Sequence, residues 1–194
     1  MQNKITLGKM GEVSISEEMM TNAGFQPDDL IEIEIKDSYQ KAILMRADEN
    51  SKKIMRTIDG SGRVILPIEV RKALRYETYD ILDITIENII VLCKKMKKNG
   101  VEKQDIDSLG RIVIPKKIRD SIGYEDGNEF EFGIRNGKLI LSKAEENSSK
   151  ITKPVDPKGR VVLPVDIRRS LGFEEGDALE IRVERILVVS KEEK

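Results

Sequence analysis

The chain has 194 residues, 39% apolar and 36% charged, with a net charge of −1 and a pI near 5.8. That is the composition of a soluble globular protein with one large core or several small ones, without the basic balance of a wholly cationic nucleic-acid binder. Histidine is absent, which excludes His-based acid–base chemistry, Ser-His-Asp and Cys-His nucleophile pairs and most zinc sites.

The opening Met-Gln-Asn-Lys-Ile-Thr has no signal-peptide apolar stretch, and no apolar run approaches the roughly 18 residues of a membrane helix. A soluble, cytoplasmic protein is expected. The single cysteine, Cys93, closes the run Ile89-Ile90-Val91-Leu92-Cys93. It can form no internal disulfide and reads as a buried, inert strand residue.

In chain order, the first landmark is Gly11-Glu12-Val13-Ser14-Ile15-Ser16, followed by Met19, Ala23 and Gly24. A stronger version follows at Asp59-Gly60-Ser61-Gly62-Arg63-Val64-Ile65-Leu66-Pro67, with Val70 and Leu74 behind it. It returns at Asp107-Ser108-Leu109-Gly110-Arg111-Ile112-Val113-Ile114-Pro115, with Ile118 and Ile122. The last version is Asp156-Pro157-Lys158-Gly159-Arg160-Val161-Val162-Leu163-Pro164, with Ile167 and Leu171. The glycines at 11, 62, 110 and 159 are 51, 48 and 49 residues apart. Four such registers define a tandem repeat whose first copy is eroded.

Each copy predicts the same elements. Residues such as Ile106 or Val155 begin a short strand; the Gly permits a tight turn; and a β-branched run such as Arg160-Val161-Val162-Leu163 forms a second strand. The proline that follows suits the first turn of a short helix, whose apolar face lies three and seven residues further on. Gly24, Gly123 and Gly172 stand where a helix ends in a left-handed residue; Arg75 takes that place in the second copy, a mildly strained choice. A closing hairpin turns at Asn136-Gly137 in the third copy and more tightly at Glu87-Asn88 and Glu184-Arg185 in the second and fourth. Met19 and Met20 are either core or a protein-contact surface. Residues 47–53, 94–103 and 145–150 read as polar connectors.

A copy of about 45 residues buries too little core to stand alone. The copies must therefore pair, and the contiguous choice gives two domains. One spans 1–98 (copies 1–50 and 54–95) and the other 99–194 (copies 103–144 and 151–194).

Gly-Arg-Val-Val-Leu-Pro-x-x-Ile-Arg-Arg-x-Leu-Gly followed by Glu-Glu-Gly-Asp-Ala-Leu-Glu-Ile resembles the AbrB/SpoVT/MazE-type domain, specifically in copies two to four and weakly in copy one. The resemblance implies a mainly β fold with short helices, in which paired copies interleave their hairpins into swapped-hairpin β-barrels, two pseudo-dimeric barrels per chain. Its members include transcription regulators, antitoxins that repress their own operons, and MraZ-type proteins with two copies per chain. The resemblance places DNA contacts on cations at four positions per copy. Carried over, these are Arg56, Arg63, Arg71 and Lys72 in the second copy, and Lys153, Arg160, Arg168 and Arg169 in the fourth. The third keeps Arg111 and Arg119, with Gln104 and Asp120 in the other two places and Lys116 and Lys117 adding charge nearby. The first keeps none, having Ile5, Glu12, Met20 and Thr21 instead.

The charge is distributed unevenly: net −3 over residues 1–55, +3 over 56–99, −2 over 100–148 and +1 over 149–194. Within the last three copies cations gather around the Gly-Arg turn and helix, and acids follow the helix, as in Glu125-Asp126 and Glu174-Glu175. An acidic chain can therefore present a basic face to double-stranded DNA, with arginine forks suited to phosphate and guanine. The competing structural role for the post-glycine arginine is a salt bridge to the acidic loop that follows. The expected function is a non-enzymatic DNA-binding regulator without cofactor, metal, small-molecule substrate or membrane. The alternative is a protein-interaction module, antitoxin-like or partner-inhibiting, with copy one as its contact surface. A homodimer remains open.

Overall fold

A computed structural model describes residues 2–36, 40–48, 51, 53–94, 102–124, 127–144 and 150–191. Most of the connectors at 47–53, 94–103 and 145–150, and the Glu125-Asp126 pair, lie outside the described residues. The order strand, strand, short helix, strand recurs four times. Copy one supplies β1 (Gln2–Thr6), β2 (Glu12–Ser14), α1 (Glu17–Ala23), β3 (Leu30–Lys36) and β4 (Lys41–Arg46). Copy two supplies β5 (Ile54–Thr57), β6 (Arg63–Ile65), α2 (Ile68–Ala73) and β7 (Ile81–Cys93). Copy three supplies β8 (Glu102–Asp105), β9 (Arg111–Val113), α3 (Lys116–Ser121), β10 (Glu129–Arg135) and β11 (Lys138–Lys143). Copy four supplies β12 (Thr152–Pro154), β13 (Arg160–Val162), α4 (Val165–Leu171) and β14 (Ala178–Lys191). The first strands end just ahead of Ile106 and Val155 instead of beginning there.

Copies pair as one with two and three with four. In the first pair β1 runs antiparallel to β7 (Ile5↔Leu82), β3 to β5 (Ile31↔Arg56) and β2 to β6 (Val13↔Val64). The second pair repeats this with β8 on β14 (Leu179↔Gln104), β10 on β12 (Phe130↔Lys153) and β9 on β13 (Val161↔Ile112).

The hairpins expected at Glu87-Asn88 and Glu184-Arg185 do not form; β7 and β14 run straight through both sites for 13 and 14 residues. A two-residue hairpin needs positive φ at its central residues, normally Asn-Gly. Asn136 and Gly137 have it, at 49° and 72°, whereas Glu87, Asn88, Glu184 and Arg185 do not. The first compact unit is consequently discontinuous, joining residues 1–87 with 185–194, and the second is the continuous stretch 88–184, where 1–98 and 99–194 were expected. The end of β14 pairs with β4 in the first unit (Leu187↔Leu44), and the end of β7 pairs with β11 in the second (Leu92↔Leu139). Each exchanged end is clasped by an ion pair: Lys191 Nζ to Asp80 at 2.7 Å, and Lys94 Nζ to Asp177 at 2.6 Å.

Each unit has its own apolar core. The first is mostly aliphatic, with Val13, Leu44, Val64, Leu82 and Leu187, and includes Met19, Met20, Phe25 and Tyr76. Met19 and Met20 are thus core residues. The second gathers Ile90, Leu92, Ile112, Leu139, Val161, Leu179 and a stacked Tyr124–Phe130 pair with ring centroids 4.3 Å apart. Cys93 is buried, as expected.

The helices begin one residue later than the sequence suggests. Pro67, Pro115 and Pro164 occupy the cap position at φ near −55° instead of the first helical turn, and none has a side chain to cap with. Copy one has Ser16 there, whose Oγ accepts the Met19 amide at 3.2 Å. At the other end Gly24 and Gly172 are left-handed, and Arg75 adopts φ 55° in the same place.

Candidate nucleic-acid interface

The post-glycine residues lie on short two-stranded ribbons. Side chains directly opposite share a face, and alternate residues face oppositely. In the second unit the register Arg111↔Val162, Ile112↔Val161, Val113↔Arg160 buries Ile112 and Val161. Arg111, Val113, Arg160 and Val162 therefore form the outer face. In the first unit the register Glu12↔Ile65, Val13↔Val64, Ser14↔Arg63 gives an outer face of Glu12, Ser14, Arg63 and Ile65. One ribbon thus carries two arginines, and the other one arginine and one glutamate.

Each post-glycine arginine is held by the aspartate four residues before it, not by the acidic loop that follows the helix. Asp107 Oδ2 takes Arg111 Nε at 2.7 Å, Asp156 takes Arg160 Nε at 2.6 Å, and Asp59 takes Arg63 Nε at 2.8 Å. The other oxygen orders the turn, accepting the amides of Ser61 and Arg63, of Leu109 and Arg111, and of Lys158 and Arg160. These bonds hold all three carboxyls below the usual carboxylate range. The Arg63 and Arg111 amides dominate for Asp59 and Asp107, and the Arg160 guanidinium for Asp156. The acidic loops serve their own turns: Asp29, Asp80 and Asp177 accept the amides of Gln26, Glu77 and Glu174.

The helix arginines do another job. Arg71, Arg119 and Arg168 donate Nε to the carbonyls of Leu66, Ile114 and Leu163, at 3.1–3.2 Å. Each lies over the landmark glycine of the partner copy: Arg71 at Gly11, Arg119 at Gly159 and Arg168 at Gly110. Met20 fills that place in copy one, over Gly62. These glycines are doubly required, since φ is positive at all four and a Cβ would strike the seated side chain. The carbonyl of each glycine also accepts a partner-copy amide, from Leu66, Ile15, Leu163 and Ile114 respectively for Gly11, Gly62, Gly110 and Gly159.

The remaining candidates lie apart from the ribbon faces or at their flanks. Arg56 and Lys153 sit on β5 and β12, outside the ribbons, and Arg56 donates to the adjacent Met55 carbonyl at 2.7 Å. Lys72, Lys116, Lys117 and Arg169 are exposed on helices that directly follow a ribbon strand. Lys158, exposed in the turn ahead of β13, was not singled out by sequence. Nor were the three aspartates given a role, although an acid at a fixed distance before each Gly-Arg was the available signal.

Residues 105–149 and 152–194 each match the family described as antidote-toxin recognition MazE, bacterial antitoxin. These matches support an AbrB/MazE-type family relationship for the second half of the chain. No curated protein matches the chain. Among solved structures, the solution structure of PHS018 from Pyrococcus horikoshii is 20% identical, covering 51% of this chain and all of that one, with a TM-score of 0.29. No helix among the described residues is long and apolar enough to cross a membrane.

Proposed function

We propose that the chain is a non-enzymatic DNA-binding transcription regulator whose contact face is the outer β9/β13 ribbon with its flanking helices. On this reading its four copies are AbrB-type units paired into two swapped-hairpin barrels. The observation that carries it is the register of that ribbon, which sets Arg111 and Arg160 on one surface. Lys116, Lys117, Lys158 and Arg169 are exposed beside it. Lysines supply phosphate contacts and arginine forks can read base edges. Arg119 and Arg168, bound to backbone carbonyls across the partner glycine, contribute mainly to holding the copies together.

Such a face loses affinity steeply as salt rises, because phosphate-bound counterions are released on binding. The test is titration of a duplex at two salt concentrations with wild type and with Lys116→Ala plus Lys117→Ala plus Arg169→Ala. The variant should bind more weakly, with a shallower salt slope. Absence of binding to any duplex at low salt would refute the reading.

A second reading, an antitoxin-like protein contact through copy one, has one observation in its favour. A groove of about 600 Å³ opens where copy one departs from the other copies, lined by Ser14, Ile15, Ser16, Glu17, Met20, Pro27, Gly60 and Ser61. Reversal of charge at Glu17 would leave duplex affinity unchanged or raised on the DNA reading, and would abolish partner binding on this one.

A further inference from the structure

The turn ahead of each ribbon strand closes through the same two backbone bonds in every copy. In copy two they are Asp59 N to Arg63 O and Gly62 N to Asp59 O; in copy three, Asp107 N to Arg111 O and Gly110 N to Asp107 O. Copy four has Asp156 N to Arg160 O and Gly159 N to Asp156 O. Copy one makes them too, from Gly8 N to Glu12 O at 2.9 Å and Gly11 N to Gly8 O at 3.0 Å. It has neither aspartate nor arginine there, and the Glu12 carboxylate instead accepts the Met10 amide, the counterpart of Ser61, Leu109 and Lys158. A carboxylate thus orders the turn in every copy, and the turn forms without the guanidinium; what the ion pair adds in copies two to four is a held arginine.

In copies three and four the carboxylate grips one edge of the fork. Asp107 Oδ2 lies 2.7 Å from both Nε and Nη2 of Arg111, and Asp156 Oδ2 lies 2.6 Å from both of Arg160. Nη1, and the edge it shares with Nη2, lie outside the pair. That edge has the spacing that matches O6 and N7 of guanine in the major groove. A free arginine loses side-chain freedom on binding, and a braced one has lost it already. Bracing adds little to phosphate attraction, which tolerates many geometries, and its carboxylate opposes that attraction. It helps where orientation decides, which is base reading.

We infer that Asp107 and Asp156 are positioning residues that brace Arg111 and Arg160 to read guanine in duplex DNA, so that the second unit's ribbon is selective for base sequence. This rests on the DNA reading above and goes beyond it. Asparagine at both positions would keep the oxygen that orders the turn and release the guanidinium.

The probe is a pool of randomised duplexes, followed by the best selected duplex with guanine or with 7-deazaguanine, which lacks the N7 acceptor. Wild type should enrich guanine and lose roughly tenfold or more in affinity per contacted guanine on 7-deaza replacement, the range of one bidentate contact. Asp107→Asn plus Asp156→Asn should bind random duplex at least as well as wild type and lose that discrimination. The control, Asp120→Asn plus Asp166→Asn, makes the same change of charge on exposed helix positions and should retain it. Should the asparagine variant fail to fold, Arg111→Lys plus Arg160→Lys carries the test, keeping charge and removing the fork, with the same expected loss. Duplex binding without guanine enrichment, or discrimination that survives in the folded variant, overturns the inference and leaves the DNA reading standing. No duplex binding by wild type at low salt removes both.

Discussion

The second unit presents an arginine on each strand of its outer ribbon, Arg111 and Arg160, each held by an aspartate; the first presents Arg63, likewise held by Asp59, on one strand and Glu12 on the other. Beneath that contrast the two units share their joinery. Every landmark glycine has positive φ, lends its carbonyl to the partner copy and seats a partner side chain, whether an arginine or Met20. An apolar thioether and a guanidinium hold the same seat. Pairing of the copies is therefore a matter of shape and backbone bonding, and the surface cations are a separate layer that copy one has shed without loss of architecture.

The strongest way to break the comparison uses a single strand. Leu187 and Leu179 both lie in β14, but Leu187 belongs to the core of the first unit and Leu179 to that of the second. Leu187→Ala should lower the stability of the first unit by about 2–5 kcal/mol and Leu179→Ala that of the second, the range for truncating a buried leucine. Amide exchange mapped by residue reads this directly; equal loss of protection in both units from either change would show that the units do not open independently.

The glycines sharpen it next. A Cβ at Gly62 would lie 2.6 Å from the Ile15 carbonyl oxygen, whereas the atoms nearest one at Gly110 all belong to the Arg168 guanidinium, at 2.8 Å. Backbone cannot move aside as a long side chain can. Gly62→Ala should cost about 2–3 kcal/mol and Gly110→Ala about 1–2 kcal/mol, both including the strain of a left-handed alanine; chemical denaturation of each variant measures the order.

Ser16→Ala should destabilise the first unit by about 1 kcal/mol through loss of the cap on α1. Arg75→Gly should act in the opposite direction, raising stability by about 0.5–1 kcal/mol in thermal melts, because glycine occupies φ near 55° without a Cβ penalty.

Acid provides the subtlest contrast. A carboxyl whose folded pKa is depressed contributes stability that is fully present above its unfolded value, near 3.9, and is lost as pH falls through the folded value. Among the described residues such groups are Asp59 in the first unit, and Asp107, Asp156 and Asp177 in the second. Lys94 is the largest cause at Asp177. The second unit should accordingly lose more protection below pH 4, and Asp107→Asn plus Asp156→Asn should flatten that limb.

Much of this was legible in sequence because the repeat is punctuated by residues with narrow tolerances. Glycine at positive φ, proline at the helix start and apolar residues at helical spacing fixed the elements and pointed to pairing of adjacent copies. The exchange of strand ends was not legible. It follows from the absence of a turn signal at Glu87-Asn88 and Glu184-Arg185, and a missing glycine is weaker evidence than a present one. The ion pairs escaped for a different reason: Asp59, Asp107 and Asp156 were visible as landmarks, but whether the post-glycine arginine turns backward or forward depends on the turn's three-dimensional shape. The eroded copy was legible as a loss of charge, with Met20 standing where the other copies have arginine; the seat of Met20 over Gly62 was not, because the two lie some forty residues apart in sequence.

The straight run of β14 has a consequence for how the molecule is made. Residues 185–191, which complete the sheet beside β4, are translated about a hundred residues after Glu87. On the ribosome the earlier unit must wait, its β4 edge unpaired, while the later one is synthesised; exposed edges of this kind invite mispairing. Vectorial synthesis, which usually lets the leading domain finish first, here obliges the two units to reach completion almost together.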